Sequence, residues 1–420
     1  MNQIRKQQMR TLWLCGALHA FTHIYQVALI PLYLLMQKDF QMRSVEGATI
    51  LVTVMGLAYF LPSYLMGILA DRMSRKKLLA IGLLLNGLGF IGISFAPNYP
   101  MVLASVIVAG LGGSFYHPAA TALVARMFPI GTGKALGLVG IGASAGFFVG
   151  PLYSGWRAVS SGSWRTPVFE LGLLGVVAAG IFYWLAEEER LPESETKPSS
   201  SPEKLFPTNA LLFFFIAASF AFSLRDFAGS GMGSLSSLFL QNAQGFSPKM
   251  TGVAISGIFL ASAISNPLFG GLSDRGRMRW TSVVLILAAV MIALLPHVPR
   301  NWIIPVLAIY GFFFMASYPM VEAAIMESVH DSIRGRVFGL FITAGGLFGN
   351  FSHWAMGHWV KRLGPNAASH ASYYPIFAML SLFVLLSLVG LPCLHRIRKK
   401  EKQLIIADIA PHPALGSPHS

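Results

Sequence analysis

The sequence predicts an all-α membrane protein whose twelve transmembrane helices form two six-helix, pseudo-symmetric bundles. Three observations predict it. The 420 residues are 54% hydrophobic and only 11% charged, with a mean hydropathy of +0.61, a composition whose outer surface needs lipid to cover it. Apolar stretches of about 20 residues, the length that crosses a bilayer, recur twelve times. A run that begins Gly67-Ile-Leu-Ala-Asp71-Arg72 and ends in a cationic loop returns in the second half as Gly270-Gly271-Leu-Ser-Asp274-Arg275.

In chain order, spans are expected at about 11 to 36, 45 to 70, 78 to 97, 101 to 126, 135 to 158 and 166 to 186. The second set is expected at about 209 to 241, 250 to 273, 280 to 298, 302 to 327, 336 to 361 and 373 to 394. Lipid offers the backbone no hydrogen-bond partner, so these stretches are read as helices. The opening residues 1–10 are basic like a secretory leader, but the apolar stretch behind them is too long for a cleavable one, and span 1 is expected to stay. Residues 187–208 are rich in charge, Ser and Pro and read as a flexible cytoplasmic linker between bundles 1–186 and 209–395. Residues 396–420 read as a disordered tail.

Placing the N-terminus inside puts most of the 31 Lys and Arg on one side, which predicts a multi-pass protein of the cell (inner) membrane with both termini cytoplasmic. The net charge of +14 is then a topology signal, and no nucleic-acid partner is expected. The two cysteines, Cys15 and Cys393, each fall within a span and read as buried structural thiols rather than a disulfide. No metal site or cofactor is expected, and neither a phosphate-binding loop nor a matched nucleophile and base occurs, which disfavours ATP-driven pumping and catalysis. The expected partners are membrane lipid and a small-molecule substrate, with the protein a monomer.

The halves align at one near-constant offset, Asp71 on Asp274, Pro118 on Pro319, Arg126 on Glu327 and Gly137 on Gly339. With twelve spans and the cationic loops after spans 2 and 8, the chain resembles the major facilitator superfamily. That resemblance implies two bundles related by an axis along the membrane normal, a cavity between them near the midplane, and alternating access by rocking. Gly67, Asp71, Arg72, Arg126, Gly271, Asp274, Arg275 and Glu327 are read as a cytoplasmic gate, its exposed ion pairs worth about 0 to 1 kcal/mol each. The alternative is that these charges merely set topology.

Span 5 carries Gly142, Gly146, Gly150, Pro151 and Gly155, similar to the Gly-Pro motif of the superfamily's antiporters. The stripe admits a closely packed neighbour and Pro151 is expected to bend the helix, while ordinary packing is the bland reading. Span 4 contains Phe115-Tyr-His117-Pro118 and later Arg126, which resembles the fosmidomycin-resistance-type branch. Span 1 agrees in part through His19, but the acid expected four residues on is His23. The Arg of an Arg-x-x-Gln-Gly stretch is absent from Val106-Ile-Val-Ala-Gly110, excluding proton coupling by that residue.

Ionisable side chains in a membrane interior cost about 2.5 kcal/mol or more, so those present are read as facing a cavity or a partner. His19, His23 and Gln26 fall on one stripe of span 1. An imidazole, with an unperturbed pKa near about 6.5, suits proton loading there; a neutral His holding a carbonyl is the rival reading. Arg225 and Asp226 lie mid-span 7 before three glycines, so the helix is expected to break, with Asp226 carrying a proton or opposing His23 and Arg225 gripping an anionic cargo group. The rival is an ion pair that only steadies the bundle. Tyr318 and Glu322 share a face of span 10, with Glu322 a second proton candidate, and His117, Asn350 and His353 are further polar candidates. Together these predict a proton-driven antiporter exporting a small organic molecule, a drug or a metabolite. The alternatives are symport uptake of an anionic metabolite and a carrier-like sensor that binds without cycling.

Overall fold

The computed structural model describes residues 3–128, 132–188, 205–206, 208–328 and 334–409, which among themselves form helices and 3-10 turns and no strand. Span 1 runs Gln3–Val27 and, after a 3-10 turn at Ile30–Leu32, Tyr33–Asp39. Span 2 is Glu46–Phe60 then Ser63–Arg72, span 3 Arg75–Phe95, span 4 Tyr99–Ser114 then Tyr116–Met127, span 5 Thr132–Ser161 and span 6 Arg165–Leu185. The second half follows with span 7 at Asn209–Asn242, span 8 at Pro248–Leu260 then Ser262–Ser273, span 9 at Arg277–Leu294 and span 10 at Ile303–Met326. Span 11 is Arg334–Leu363, and span 12 is Tyr374–Ser387 then Gly390–Ile409. Side chains cap several starts, as where the Ser74, Asn98, Thr208 and Ser247 oxygens accept from backbone N–H groups three residues on.

Three expectations change. Among the described residues, eleven of the twelve passes are long and apolar enough to cross a membrane. Span 11 has the length, 30 residues, but Asn350, Ser352 and His353 interrupt its apolar run. The segment expected to be disordered from 396 continues as helix to Ile409, and 410–420 lie outside the described residues, as does most of the linker, 189–204. Span 7 is one unbroken helix of 34 residues through Arg225, Asp226 and the three glycines, because its buried Phe, Ser and Leu side chains hold it from both flanks.

Passes alternate in direction, so the helix ends near residues 3, 72, 127, 185, 209, 273, 326 and 409 share one face, termed the terminal face; the other is the far face. The halves meet toward the far face. Glu46–Phe60 of span 2 packs along span 11, whereas Ser63–Arg72 packs on Tyr116–Met127 of its own half. Likewise Pro248–Leu260 of span 8 packs along span 5, whereas Ser262–Ser273 packs chiefly on span 10. Both helix pairs therefore diverge toward the terminal face.

Hydrogen bonds seal the far half. Ser234 Oγ lies 2.8 Å from Tyr33 Oη and 2.7 Å from His353 Nδ1, a buried chain through spans 1, 7 and 11. Ser237 donates to the Ile30 carbonyl at 2.7 Å and Ser256 to the Phe148 carbonyl at 2.6 Å. At the rim, Glu46 accepts from Trp354 at 3.0 Å and Lys361 at 2.6 Å, and sits 2.9 Å from His358 Nδ1.

Candidate functional site

The glycine stripe of span 5 sets the first half of the site. A Cβ on Gly142 would collide with the Gly16 carbonyl and one on Gly146 with the Ala20 carbonyl, while Gly150 faces Ile24 and Val27. Only glycine lets span 1 lie this close, and the contact fixes which face of span 1 turns inward. Gly155 serves a different junction, meeting Pro248 and Gly252 of span 8 across the two halves. Pro151 stays within the continuous helix Thr132–Ser161.

The face turned inward is the polar stripe. His19 Nδ1 sits 3.0 Å from the Val139 carbonyl, His23 Nδ1 2.8 Å from Gln26 Oε1, and the two Nε2 atoms are 3.1 Å apart. A carbonyl oxygen only accepts, so His19 Nδ1 carries a hydrogen; with the Gln26 oxygen toward His23, so does His23 Nδ1. The His19 Nε2 lone pair then points at His23 Nε2, which meets it with its own hydrogen if the Gln26 amide is turned to donate to His23 Nδ1, or with a second lone pair that a shared cation would satisfy. Span 4 brings in a third imidazole: the His117 ring centroid is 5.2 Å from His19 and 6.0 Å from His23. His117 is exposed though it lies mid-bundle beside Tyr59 and Tyr116, so it faces the space between the halves. Tyr116 stacks on His19 at 4.7 Å and Phe147 on His23 at 4.1 Å, fixing both rings. A small cavity lined by Thr22, Gln26, Gly56, Tyr59, Asn86 and Asn350 adjoins the cluster, and the buried Tyr59 hydroxyl has no hydrogen-bond partner among the described residues.

The second half supplies a separate charged cluster. Arg225 Nη2 lies 2.7 Å and Nε 3.0 Å from the same Asp226 oxygen, with Arg225 side-chain exposure of 2% against 15% for Asp226. The guanidinium stacks 4.2 Å over the Tyr318 ring and reaches the Ser317 carbonyl at 3.4 Å. Asp226 does not oppose His23, one of the two roles expected of it; it pairs with its own neighbour, because the long Arg side chain curls back along the helix. Glu322, half-buried one turn beyond Tyr318, is within electrostatic range of both Arg225 and Asp226. Gly345 on span 11 makes room for the carboxylate, since a Cβ there would meet Asp226 Oδ2.

The remaining candidates sit elsewhere. Asn350 donates to the Gly346 carbonyl at 2.7 Å and packs against Gly56, while His353 belongs to the far-half chain through Ser234. On the terminal face Arg277 joins Asp274 at 3.2 Å and Glu327 at 2.5 Å, with Arg398 3.5 Å from Glu327, so these acids pair within the second half. Arg72, Arg126 and Arg275 are exposed, Gly67 makes only an ordinary contact with Pro118, Gly271 has open space beside it, and the Asp71 side chain lies outside the described residues. Sequence reading missed Phe147, Tyr59 and the Glu46 cluster. Only the last left a trace, as a lone acid at the start of span 2.

The sequence profile of the Major Facilitator Superfamily matches residues 12–353. The chain belongs to that superfamily. Relatives with assigned roles include the quinolone resistance protein NorA of Staphylococcus aureus, 24% identical over 90% of this chain and 94% of NorA. Multidrug resistance protein 2 of Bacillus subtilis is 27% identical over 72% of this chain and 78% of its own length. Among solved structures, a bacterial homolog of the human lysosomal transporter Spinster, inward-facing and unoccupied, superposes with a TM-score of 0.72 at 15% identity, covering 96% of this chain and 98% of that one. Its inward-facing, occupied form gives 0.70. The superfamily assignment makes the protein a multi-pass membrane transporter, and its two helix pairs across the halves part toward the terminal face.

Proposed function

We propose that the protein exports a small organic molecule in exchange for protons, by alternating access between the two bundles. The observation that carries this reading is the charged cluster of Arg225, Asp226, Tyr318 and Glu322, an ion pair and a second carboxylate within the membrane-spanning part of a bundle whose far half is sealed by hydrogen bonds. A carboxylate held next to a buried cation changes its proton affinity when the surroundings change, which is what coupling requires. Glu322 and Asp226 are the proton carriers, and Arg225 keeps an unprotonated carboxylate tolerable there. The cargo binds against the aromatic and polar lining made by His117, Tyr59, Phe147 and Gln26. The excess of Lys and Arg on the terminal face supports reading it as the cytoplasmic one, from which cargo would enter, and the proposed site of action is the cell membrane. Similarity to quinolone and multidrug resistance proteins supports export over uptake.

Symport of an anion anchored on Arg225 is disfavoured, because that guanidinium is enclosed by Asp226, Tyr318 and the Ser317 carbonyl. The decisive experiment uses proteoliposomes loaded with a fluorescent amphipathic amine and an imposed pH gradient. Movement of the dye against the proton flux supports antiport; movement with it, or none, refutes it.

A further inference from the structure

We infer that His19, His23 and His117 form a binding site for a first-row divalent transition-metal cation of the zinc or cobalt type, with its fourth coordination position open to the cavity. This goes beyond the transport reading and is tested without it. The three imidazoles offer ligand nitrogens that all lie within 4.8 Å of one another. The His19 and His23 Nε2 atoms, 3.1 Å apart, stand near the edge length of about 3.3 Å that bonds of roughly 2.0–2.1 Å impose on a tetrahedral zinc site. His117, whose ring centroid lies 5.2 Å from that of His19 and 6.0 Å from that of His23, supplies the third corner.

The surroundings are those of a ligand set rather than a chance cluster. Each of the two span 1 rings has its Nδ1 engaged, His19 by the Val139 carbonyl at 3.0 Å and His23 by Gln26 Oε1 at 2.8 Å. Such outer partners commit the opposite nitrogen to the metal and fix the plane of each ring. Tyr116 and Phe147 hold the same rings by stacking. The cluster itself contains no carboxylate, so a hard cation such as calcium or magnesium, which wants oxygen ligands, is a poor occupant. Three neutral nitrogens suit zinc, cobalt or nickel, and the exposed side of His117 provides the entry path and the open position.

All three ligands belong to spans 1 and 4 of one half. A bound cation therefore travels with that half as it rocks, and does not tie the halves together. It faces the cavity as a Lewis acid able to accept one donor atom from a bound molecule.

The test is titration of the full-length protein in detergent micelles with Co2+, read by visible absorption, followed by competition with Zn2+. One equivalent giving an intense tetrahedral-type band that Zn2+ bleaches is the expected result. His23→Ala and His117→Ala should each weaken binding about 100-fold and Gln26→Leu about tenfold, whereas His358→Ala and His370→Ala should leave it unchanged. His117→Cys, at an exposed position that does not endanger folding, should keep the band and add a thiolate-to-cobalt charge-transfer absorption in the near ultraviolet. An octahedral-type spectrum, no saturable binding, an unaltered titration in His23→Ala and His117→Ala, or no charge-transfer band in folded His117→Cys would overturn the assignment.

Discussion

At the scale of single residues, the Arg225 and Asp226 pair has the sharpest energetic consequence. Removing one partner of a buried ion pair leaves the other charge uncompensated, at a cost of about 3–5 kcal/mol, while replacing both with apolar groups is far milder. Arg225→Met alone should therefore lower the thermal unfolding midpoint markedly, and Arg225→Met with Asp226→Leu should recover much of it, although neither should transport. Glu322→Gln tests the coupling role: dye binding should persist while gradient-driven movement in proteoliposomes disappears, and retained accumulation would remove Glu322 from the mechanism. Spacing alone made the stripe of His19, His23 and Gln26 legible, since residues three and four apart share a helix face and the structure joins them by hydrogen bonds. The partner of Asp226 was not legible, because adjacent positions diverge on a helix and only the reach of a long guanidinium brings the two groups together.

At the scale of the helix, the glycine stripe of span 5 sets the orientation of span 1. Gly146→Val would drive a side chain into the Ala20 carbonyl, and overpacking of this kind costs about 1–3 kcal/mol. Gly140, with open space around an added Cβ, is the internal control. Gly146→Val should lose both folded yield and transport, whereas Gly140→Ala should behave as the unaltered protein. The stripe was visible in the sequence as small residues at every fourth position, but not which neighbour it served. Its upper part serves span 1 and Gly155 serves span 8, a division that depends on how the halves dock. Span lengths were legible for the same reason that spans exist, and the helical continuation past 396 was missed because a charged, weakly apolar segment gives no membrane signal.

At the scale of the whole molecule, the far-face cluster around Glu46 acts as a latch. One carboxylate draws together Trp354, His358 and Lys361 of the other half, and a hydrogen bond to a charged group contributes about 1.5–3 kcal/mol. Glu46→Ala should shift the population toward far-face opening on the order of tenfold. Spin labels at Gln41 and Asn366, both exposed on that face, should then report a longer distance component; an unchanged distribution would mean that the helix packing alone holds the seal. None of this latch could be read from one half, since each partner lies far along the chain from the other. Span 11 bears on how the protein is made. Asn350, Ser352 and His353 leave it too weakly apolar to partition into lipid unaided. During synthesis it must wait beside the insertion machinery until neighbouring passes shelter those groups, so a reporter that ends the chain just after residue 366 should show incomplete translocation, and one inserted at the same point with span 12 retained behind it should not.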